Sequence, residues 1–376
     1  MTAPTAARPY RILICDDQPD VLHAMRLLLK GQGYEAVTVD SPRALLREAR
    51  SGQFDLILAD LNYTRDTTSG EEGLDLLAGL ESQGNTAPVI VMTAWGSIDL
   101  AVEAMRRGAC DFVQKPWDNE RVLAAIRKQA ASERGRRSEL EIAGAVQQKL
   151  FPRSSPQLRT LDYAGHCVAA QGVGGDYYDF LDLGKDALGF VLADVSGKGV
   201  PAALLMANLQ ACFRTQVGAR FRGPAALLDI VHKHFYSSTG SDRFATLFFG
   251  AYDDRTRRMR YVNCGHCAPL LLRSDGELRK LEPTGAVLGA FEEWNCAEDE
   301  ISLDAGDTLL LYSDGVTEAS NSNGDEFGEY RLARLLRERR SRTADDLVRE
   351  VVNAVSTFSE ASPMDDITVV AIRGIQ

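Results

Sequence analysis

No stretch of the 376-residue chain is apolar for long enough to span a bilayer. The opening residues, MTAPTAARPYRILICDD, lack an apolar signal core ahead of the first strand-like run. A cytoplasmic protein with no membrane partner is the expectation. Cysteine is sparse: seven residues, an odd number and scattered, argue against a disulfide framework. Basic stripes are missing and the net charge is -11, so little is available to neutralise nucleic-acid phosphates. No helix-turn-helix pattern closes the chain, and neither internal repeats nor long low-complexity segments occur. What remains is the composition of ordinary globular domains, with length for two or three.

From residue 10 to about 120, strand-like and helix-like runs alternate. RILICDD, YEAVTVD, FDLILAD, PVIVMTA and DFVQKP are separated by DVLHAMRLLLKGQG, SPRALLREARSG and SIDLAVEAMRRG. Such alternation predicts a parallel sheet with helices on both faces, and ligands at its C-terminal strand ends. Asp16 and Asp17 close the first strand, Asp60 the third, Thr93 the fourth and Lys115 the fifth. Any one of them alone reads as a strand terminator. Together, three carboxylates, a hydroxyl and an ammonium converge on one rim, a set suited to hard Mg2+.

This segment resembles the receiver domain of bacterial response regulators, a flavodoxin-like doubly wound α/β fold, over about 110 residues. The resemblance implies that Asp60 accepts a phosphoryl group from a sensor histidine kinase. It implies that Asp16, Asp17, Asp60 and the backbone carbonyl of Asn62 hold Mg2+. Lys115 would contact the phosphoryl group, Thr93 would hydrogen-bond it, and Phe112 would be the coupled aromatic switch. The loop after Asp60, LNYTRDTTSGEEG, is longer than the family's and lacks its proline.

Between residues 118 and 150 apolar residues recur at Val122, Leu123, Ile126 and Ala130, then at Leu140, Ile142, Val146 and Leu150. A long helix is expected, weakest near Gly135 in the charged middle, SERGRRSE. It is either a solvated linker helix or a parallel coiled coil that makes the protein a homodimer.

Beyond residue 150 strand-like runs crowd together: YYDFLDL, LGFVLADV, ATLFFGAYD, RMRYVNC, APLLLRS, DTLLLYSD and ITVVAI, with three helical stretches between them. An α+β domain on antiparallel sheets is predicted. The turn signals from Gly184 to Asp186 lie midway between Asp176 and Asp194, so a hairpin sets those carboxylates opposite each other. Asp314 ends one strand-like run and Asp365 begins another, placing both at one edge if the runs pair antiparallel. Each signal alone is bland: SDG is a turn, GVGG a loop, DD a solvated edge. Gathered, four carboxylates need a counter-charge, and the motif cores supply only Lys198. Divalent metal answers, and all-oxygen ligands suit Mg2+ or Mn2+ over zinc. Two ions sharing a carboxylate and a water would serve phosphoryl displacement. Gly172, Gly174 and Gly175 are expected to leave room for the phosphoryl group. In PMDDITVVAI, side-chain alternation turns one of Asp365 and Asp366 toward the core, where a lone carboxylate is costly.

VGGDYYDF, ADVSGKGVPAALLMA, FATLFFGAYD, YVNCGHCAPLLL, GDTLLLYSDGVTEASN and MDDITVV resemble the PPM (type 2C) serine/threonine protein phosphatases. They match the bacterial branch typified by SpoIIE, over about 225 residues. The resemblance implies an antiparallel β-sandwich flanked by helices. It implies two Mg2+ or Mn2+ ions, one on Asp176 and Asp194, the other on Asp194, Asp314 and Asp365, with the carbonyl of Val195 as a further ligand. These four aspartates would be the catalytic set, and metal would hold the carboxylate of the PMDD turn. NCGHCAP departs from the family's proline-rich turn. Cys264, His266 and Cys267 fall one ligand short of a zinc site, which favours a His266 that is structural or a minor contributor near the site. His232 and His234, two apart on a helix, do not share a face and are read as incidental.

The expected organisation is a receiver at 9-125, a helical linker at 126-150 and a phosphatase domain at 151-376. The implied function is a response regulator whose output is a phosphoserine/phosphothreonine phosphatase, attacking phosphorus with an activated water and forming no phospho-enzyme. Its implied substrate is a STAS-type anti-sigma-factor antagonist. The alternative is a non-catalytic adaptor switched by phosphorylation, against which the four retained aspartates weigh.

Overall fold

The computed structural model describes residues 9-52, 54-63, 71-93, 98-152, 156-184, 186-240, 243-359 and 363-376. Much of the long loop after Asp60, residues 64-70, lies outside these. The chain divides into two compact units, Met1–Ser138 and Glu139–Gln376.

The first unit alternates β1 (Arg11–Cys15), α1 (Pro19–Lys30), β2 (Glu35–Val39), α2 (Pro42–Ser51), β3 (Leu56–Asp60), α3 (Glu71–Ser82), β4 (Val89–Thr93), α4 (Ile98–Arg106) and β5 (Asp111–Gln114). Its sheet is wholly parallel, in the order β2-β1-β3-β4-β5. A parallel sheet is covered on both faces, so its central strands are apolar throughout. Ile12, Ile14, Leu58 and Ile90 pack on one side with Met25 and Leu29 of α1. Leu13, Cys15, Ile57 and Val91 pack on the other with Leu45, Leu77 and Ala104. Cys15 pairs with Ala59, so Asp16 and Asp60 emerge side by side where the strand order reverses.

Helix α5 (Asn119–Gln147) follows, 29 residues continuous through Gly135. It lies within the 118-150 stretch where a long helix is expected. Val122, Leu123 and Ile126 are buried, whereas Ile142 and Val146 near the other end are exposed.

The second unit contains β6 (Leu161–Val168), β7 (Tyr177–Gly184), β8 (Ala187–Val195), α6 (Gly199–Arg220), α7 (Pro224–Ser238), β9 (Ala245–Asp253), β10 (Arg258–Cys264), β11 (Leu270–Leu272), β12 (Leu278–Lys280) and β13 (Asp299–Ser302). After them come β14 (Thr308–Tyr312), α8 (Asp314–Thr317), α9 (Gly328–Glu338), α10 (Ala344–Ser359) and β15 (Ile367–Gly374). Two antiparallel five-stranded sheets result, β13-β10-β9-β8-β7 and β12-β11-β14-β15-β6. Alternation along each strand assigns its residues to two layers. Leu309, Leu311, Val370 and Ile372 enter the core shared with the other sheet. Leu310, Tyr312, Val369 and Ala371 face Leu332, Leu336, Val348 and Val351 of α9 and α10. On the opposite sheet Phe180 meets Tyr163 of β6 with ring centroids 4.7 Å apart. Its neighbours Tyr177 and Phe249 turn to Phe213 of α6, at 6.2 and 5.7 Å.

Three short or glycine-interrupted strands, β6, β12 and β13, have no counterpart among the predicted runs. β6 contains Gly165, which lies beneath the ring of Tyr178 where a Cβ would collide. Its apolar pattern is broken for that reason. Asp314 does not end a strand: β14 stops at Tyr312, and Asp314 opens α8.

Candidate functional site

On the first unit's rim, Asp16 and Asp60 are buried and face Lys115. The Lys115 Nζ donates to Asp16 Oδ2 at 2.6 Å and to Asp60 Oδ2 at 2.7 Å. Asp16 Oδ1 accepts the Gln18 N–H, and Asp60 Oδ1 the Asn62 N–H at 3.2 Å. Burial pushes the Asp60 carboxyl up to about 6, against the pull of Lys115. Lys115 is held above its ordinary value by its two carboxylate partners, although burial acts the other way. Asp16, Asp17 and Asp60 offer oxygens within 4.8 Å of one another. One ammonium among three carboxylates leaves negative charge that a hard cation fits. Thr93 is buried at the end of β4, and its carbonyl accepts the Lys115 N–H at 2.7 Å. Phe112 is 37% exposed, on the outer side of β5.

The second unit gathers Asp176, Asp194, Asp314 and Asp365 from four segments. The β7–β8 register pairs Tyr177 with Ala193, which sets Asp176 and Asp194 opposite one position earlier. Gly184 and Asp186 adopt positive φ, 73° and 60°, at the turn that closes this hairpin. Ser313 and Thr368 tie the other two together. The Ser313 N–H donates to the Thr368 carbonyl, and the Thr368 N–H to Ser313 Oγ, both at 3.0 Å. Asp314 follows the first of these residues, and the Asp365-Asp366 turn precedes the second.

Proximity shows in the electrostatics. Burial, then Asp314 and Asp365, push the Asp194 carboxyl up to about 7. Burial, then Asp194 and Asp366, raise Asp176 well above the carboxylate range. Asp314 is raised by burial and by Asp365. Only one cation meets these carboxylates directly among the described residues: Lys198 Nζ lies 2.8 Å from Asp365 Oδ2. Among the described residues no three of these carboxylates come within 4.8 Å of one another. An oxygen-only donor set carrying surplus charge fits hard divalent cations. Asp176 is further oriented by Thr368, whose Oγ1 donates to its Oδ2 at 2.5 Å.

The PMDD turn resolves differently from the sequence expectation. Asp366 is the buried carboxylate, and backbone amides hold it. Its Oδ1 accepts the Ala170 N–H at 2.8 Å; its Oδ2 accepts the Gly175 N–H at 2.7 Å and the Asp176 N–H at 3.4 Å. Asp365 points to the partly open rim, its side chain 40% exposed. The glycines also differ in role. A Cβ on Gly174 would collide with the Asp366 carboxylate, and one on Gly175 would approach the Val195 carbonyl to 2.7 Å. Close packing requires glycine at 174 and 175, whereas a Cβ on Gly172, at φ 82°, would meet nothing nearer than 3.9 Å. Sequence reasoning missed Asp366, Thr368 and Ser313 as organisers. Thr368 was detectable, since it sits two residues from Asp366 on the same strand face.

His266 is fully buried, and burial lowers its imidazole to about 4. Its Nδ1 lies 2.9 Å from Thr246 Oγ1, a structural bond. Cys264 is buried at the end of β10, and among the described residues no metal-ligating trio forms there. Cys267 lies toward the carboxylates: burial, then Asp314 and Asp194, push its thiol up to about 12. His232 is buried and stacks on Trp294 at 4.8 Å, while His234 is exposed.

Fold and site together define a receiver domain joined to a phosphatase domain of the PPM class. A family model described as response regulator receiver domain matches residues 12–127, and one described as stage II sporulation protein E (SpoIIE) matches 184–374. The chain belongs to the SpoIIE family. It is similar to phosphoserine phosphatase RsbU of Bacillus subtilis, 30% identical over 239 residues, 63% of this chain and 70% of that protein. It is similar to protein IcfG of Synechocystis, 29% identical over 264 residues, 63% of this chain and 41% of that protein. Its fold matches the SiaA-PP2C domain of Pseudomonas aeruginosa with TM-score 0.57 and 23% identity, over 65% of this chain and 98% of that one.

Proposed function

We propose that this chain is a response regulator whose output, carried by residues 151-376, is metal-dependent hydrolysis of phosphoserine or phosphothreonine in a protein, controlled by phosphorylation of Asp60. One observation carries the reading: Asp176, Asp194, Asp314 and Asp365, from separate segments, meet at one rim, where burial and neighbouring carboxylates raise the first three and Lys198 pairs directly with the fourth. Asp176, Asp194, Asp314, Asp365 and the Val195 carbonyl would hold two Mg2+ or Mn2+ ions. When bound, the pair supplies Lewis acidity that activates water and neutralises phosphoryl oxygens.

The chain's own residues prepare that site. Thr368 fixes the rotation of the Asp176 carboxylate. Lys198 offsets the charge of Asp365, and the Met364 carbonyl, which accepts from Lys198 Nζ at 2.8 Å, holds that ammonium in place. In the receiver, Asp60 would take the phosphoryl group from a histidine kinase. Asp16, Asp17, Asp60 and the Asn62 carbonyl would hold Mg2+, Lys115 and Thr93 would engage the phosphoryl oxygens, and Phe112 would respond.

The name of the RsbU relative supports phosphoserine as the substrate group. A STAS-type anti-sigma-factor antagonist, carried from the family resemblance, is the first protein to assay. Exposed Ile142 and Val146, about one turn apart on α5, support a homodimer paired through the connector. No described helix is long and apolar enough to cross a membrane; action in the cytoplasm is part of the proposal.

Hydrolysis of para-nitrophenyl phosphate with Mn2+ tests the enzyme. The wild type is expected to turn over and Asp194→Ala to lose more than the roughly ten- to hundredfold that altering the support behind a metal ligand costs. Equal activity, or equal silence with either ion and with or without receiver phosphorylation, would favour the adaptor.

A further inference from the structure

The last turn of α5 buries a polar side chain that no site described above uses. Gln147 is 7% exposed. Its Nε2 donates to the Gly174 carbonyl at 2.7 Å, and its Oε1 accepts the Gly174 N–H at 3.0 Å. One side-chain amide thereby satisfies both backbone groups of one residue, as a neighbouring strand would. One turn earlier Gly144 lies against the Gly172 carbonyl so closely that a Cβ would collide. The helix thus meets loop 172-174 at two successive turns of one face. On the loop's other flank, Asp366 receives the Gly175 and Asp176 N–H groups. Asp176 stands two residues beyond Gly174.

We infer that Gln147 is a positioning residue: its amide sets the backbone of Gly174 and so aims Asp176 at the ion shared with Asp194. The inference rests on the phosphatase reading and extends it to a residue outside the ligand set. Gln147 is carried by the same continuous helix that begins at Asn119, so a shift of α5 along or about its axis would act on the metal loop through this amide.

The amide explains why a glutamine is buried there. Leucine would fill the space but leave the Gly174 N–H and carbonyl unpaired, at the desolvation cost of two buried polar groups. A shorter asparagine on the same helix turn would not reach both. Glutamate keeps an acceptor for the N–H but turns a second oxygen onto the carbonyl.

The test uses the full chain as Gln147→Ala and Gln147→Glu, with Asp194→Ala as reference. Mn2+ binding is followed by calorimetry, the isotherm retained by Asp194→Ala being assigned to the receiver. Activity on para-nitrophenyl phosphate is followed against Mn2+ concentration. Both Gln147 variants are expected to weaken Mn2+ binding at the phosphatase site by about tenfold, the scale of lost support behind a ligand. Half-saturation of activity should move by the same factor, and excess Mn2+ should restore turnover to within about twofold. A merely structural side chain would lower melting temperature and the active fraction while leaving half-saturation in place, and that pattern overturns the inference. Wild-type Mn2+ affinity in whichever variant folds overturns it too. If the wild type itself matches Asp194→Ala in binding and activity, the phosphatase reading falls first.

Discussion

Asp366→Asn replaces one oxygen of the buried carboxylate by an amide nitrogen and changes almost nothing in volume. In the wild type the two oxygens accept from the Ala170 N–H at 2.8 Å and from the Gly175 N–H at 2.7 Å. Asparagine can serve only one of these donors; its NH2 faces the other, donor against donor. A hydrogen bond to a charged group contributes about 1.5–3 kcal/mol, and an orphaned buried N–H costs about 1–3 kcal/mol. Burial raises the Asp366 carboxyl and so discounts the charged contribution, since part of the ion's stabilisation offsets its desolvation. The net expectation is a loss of about 2–4 kcal/mol. For a domain of this size that lowers the melting temperature by roughly 5–15 °C. Calorimetry of the full chain resolves the second unit's transition, which Mn2+ should shift upward in the wild type. The variant should melt earlier and bind Mn2+ more weakly, because the same amides place Asp176. A variant that melts within about 1 °C of wild type and binds Mn2+ equally would refute the reasoning. The carboxylate would then be buried without organising the loop.

Metal-free stability of the second unit should fall as pH rises. Asp194 is raised to about 7, and Asp176 and Asp314 are raised as well. Raised carboxylates favour the protonated fold, so their contribution is present below the ordinary carboxylate range and is lost as pH climbs through about 7. Chelator-treated protein should melt lower at pH 8 than at pH 5.5, and Mn2+ should stabilise more at pH 8, where protons compete less; flat melting across that range contradicts the crowding. Beryllofluoride, which mimics a phosphoryl group on Asp60, should raise phosphatase turnover through altered dimer packing, and Asp60→Asn should abolish the response. Equal rates with and without it would remove the coupling.

Much of the architecture is written in local pattern. Unbroken apolar runs in the first half announce strands covered on both faces, and strand ends announce Asp16, Asp60, Thr93 and Lys115, because a parallel sheet delivers all its C-terminal ends to one rim. The hairpin that opposes Asp176 and Asp194 is equally local, since a turn residue midway sets the register. Asp314 and Asp365 are legible as metal-type carboxylates, but their meeting with the hairpin depends on two sheets packing face to face.

Long-range placement decided the rest. Alternation shows that one of Asp365 and Asp366 turns inward, but not which, because the turn before β15 sets the phase. Only the fold brings Asp366, about 190 residues away in sequence, under the amides of Gly175 and Asp176. Gln147 carries no signal of its own role: a polar residue in the last turn of a charged helix reads as solvated until the Gly174 peptide is laid against it. Periodicity and turn chemistry are properties of neighbours in the chain, so the sequence alone determined the elements and which carboxylates could serve. Which donors would hold those carboxylates is a matter of contacts between distant segments, and that only the tertiary structure decided.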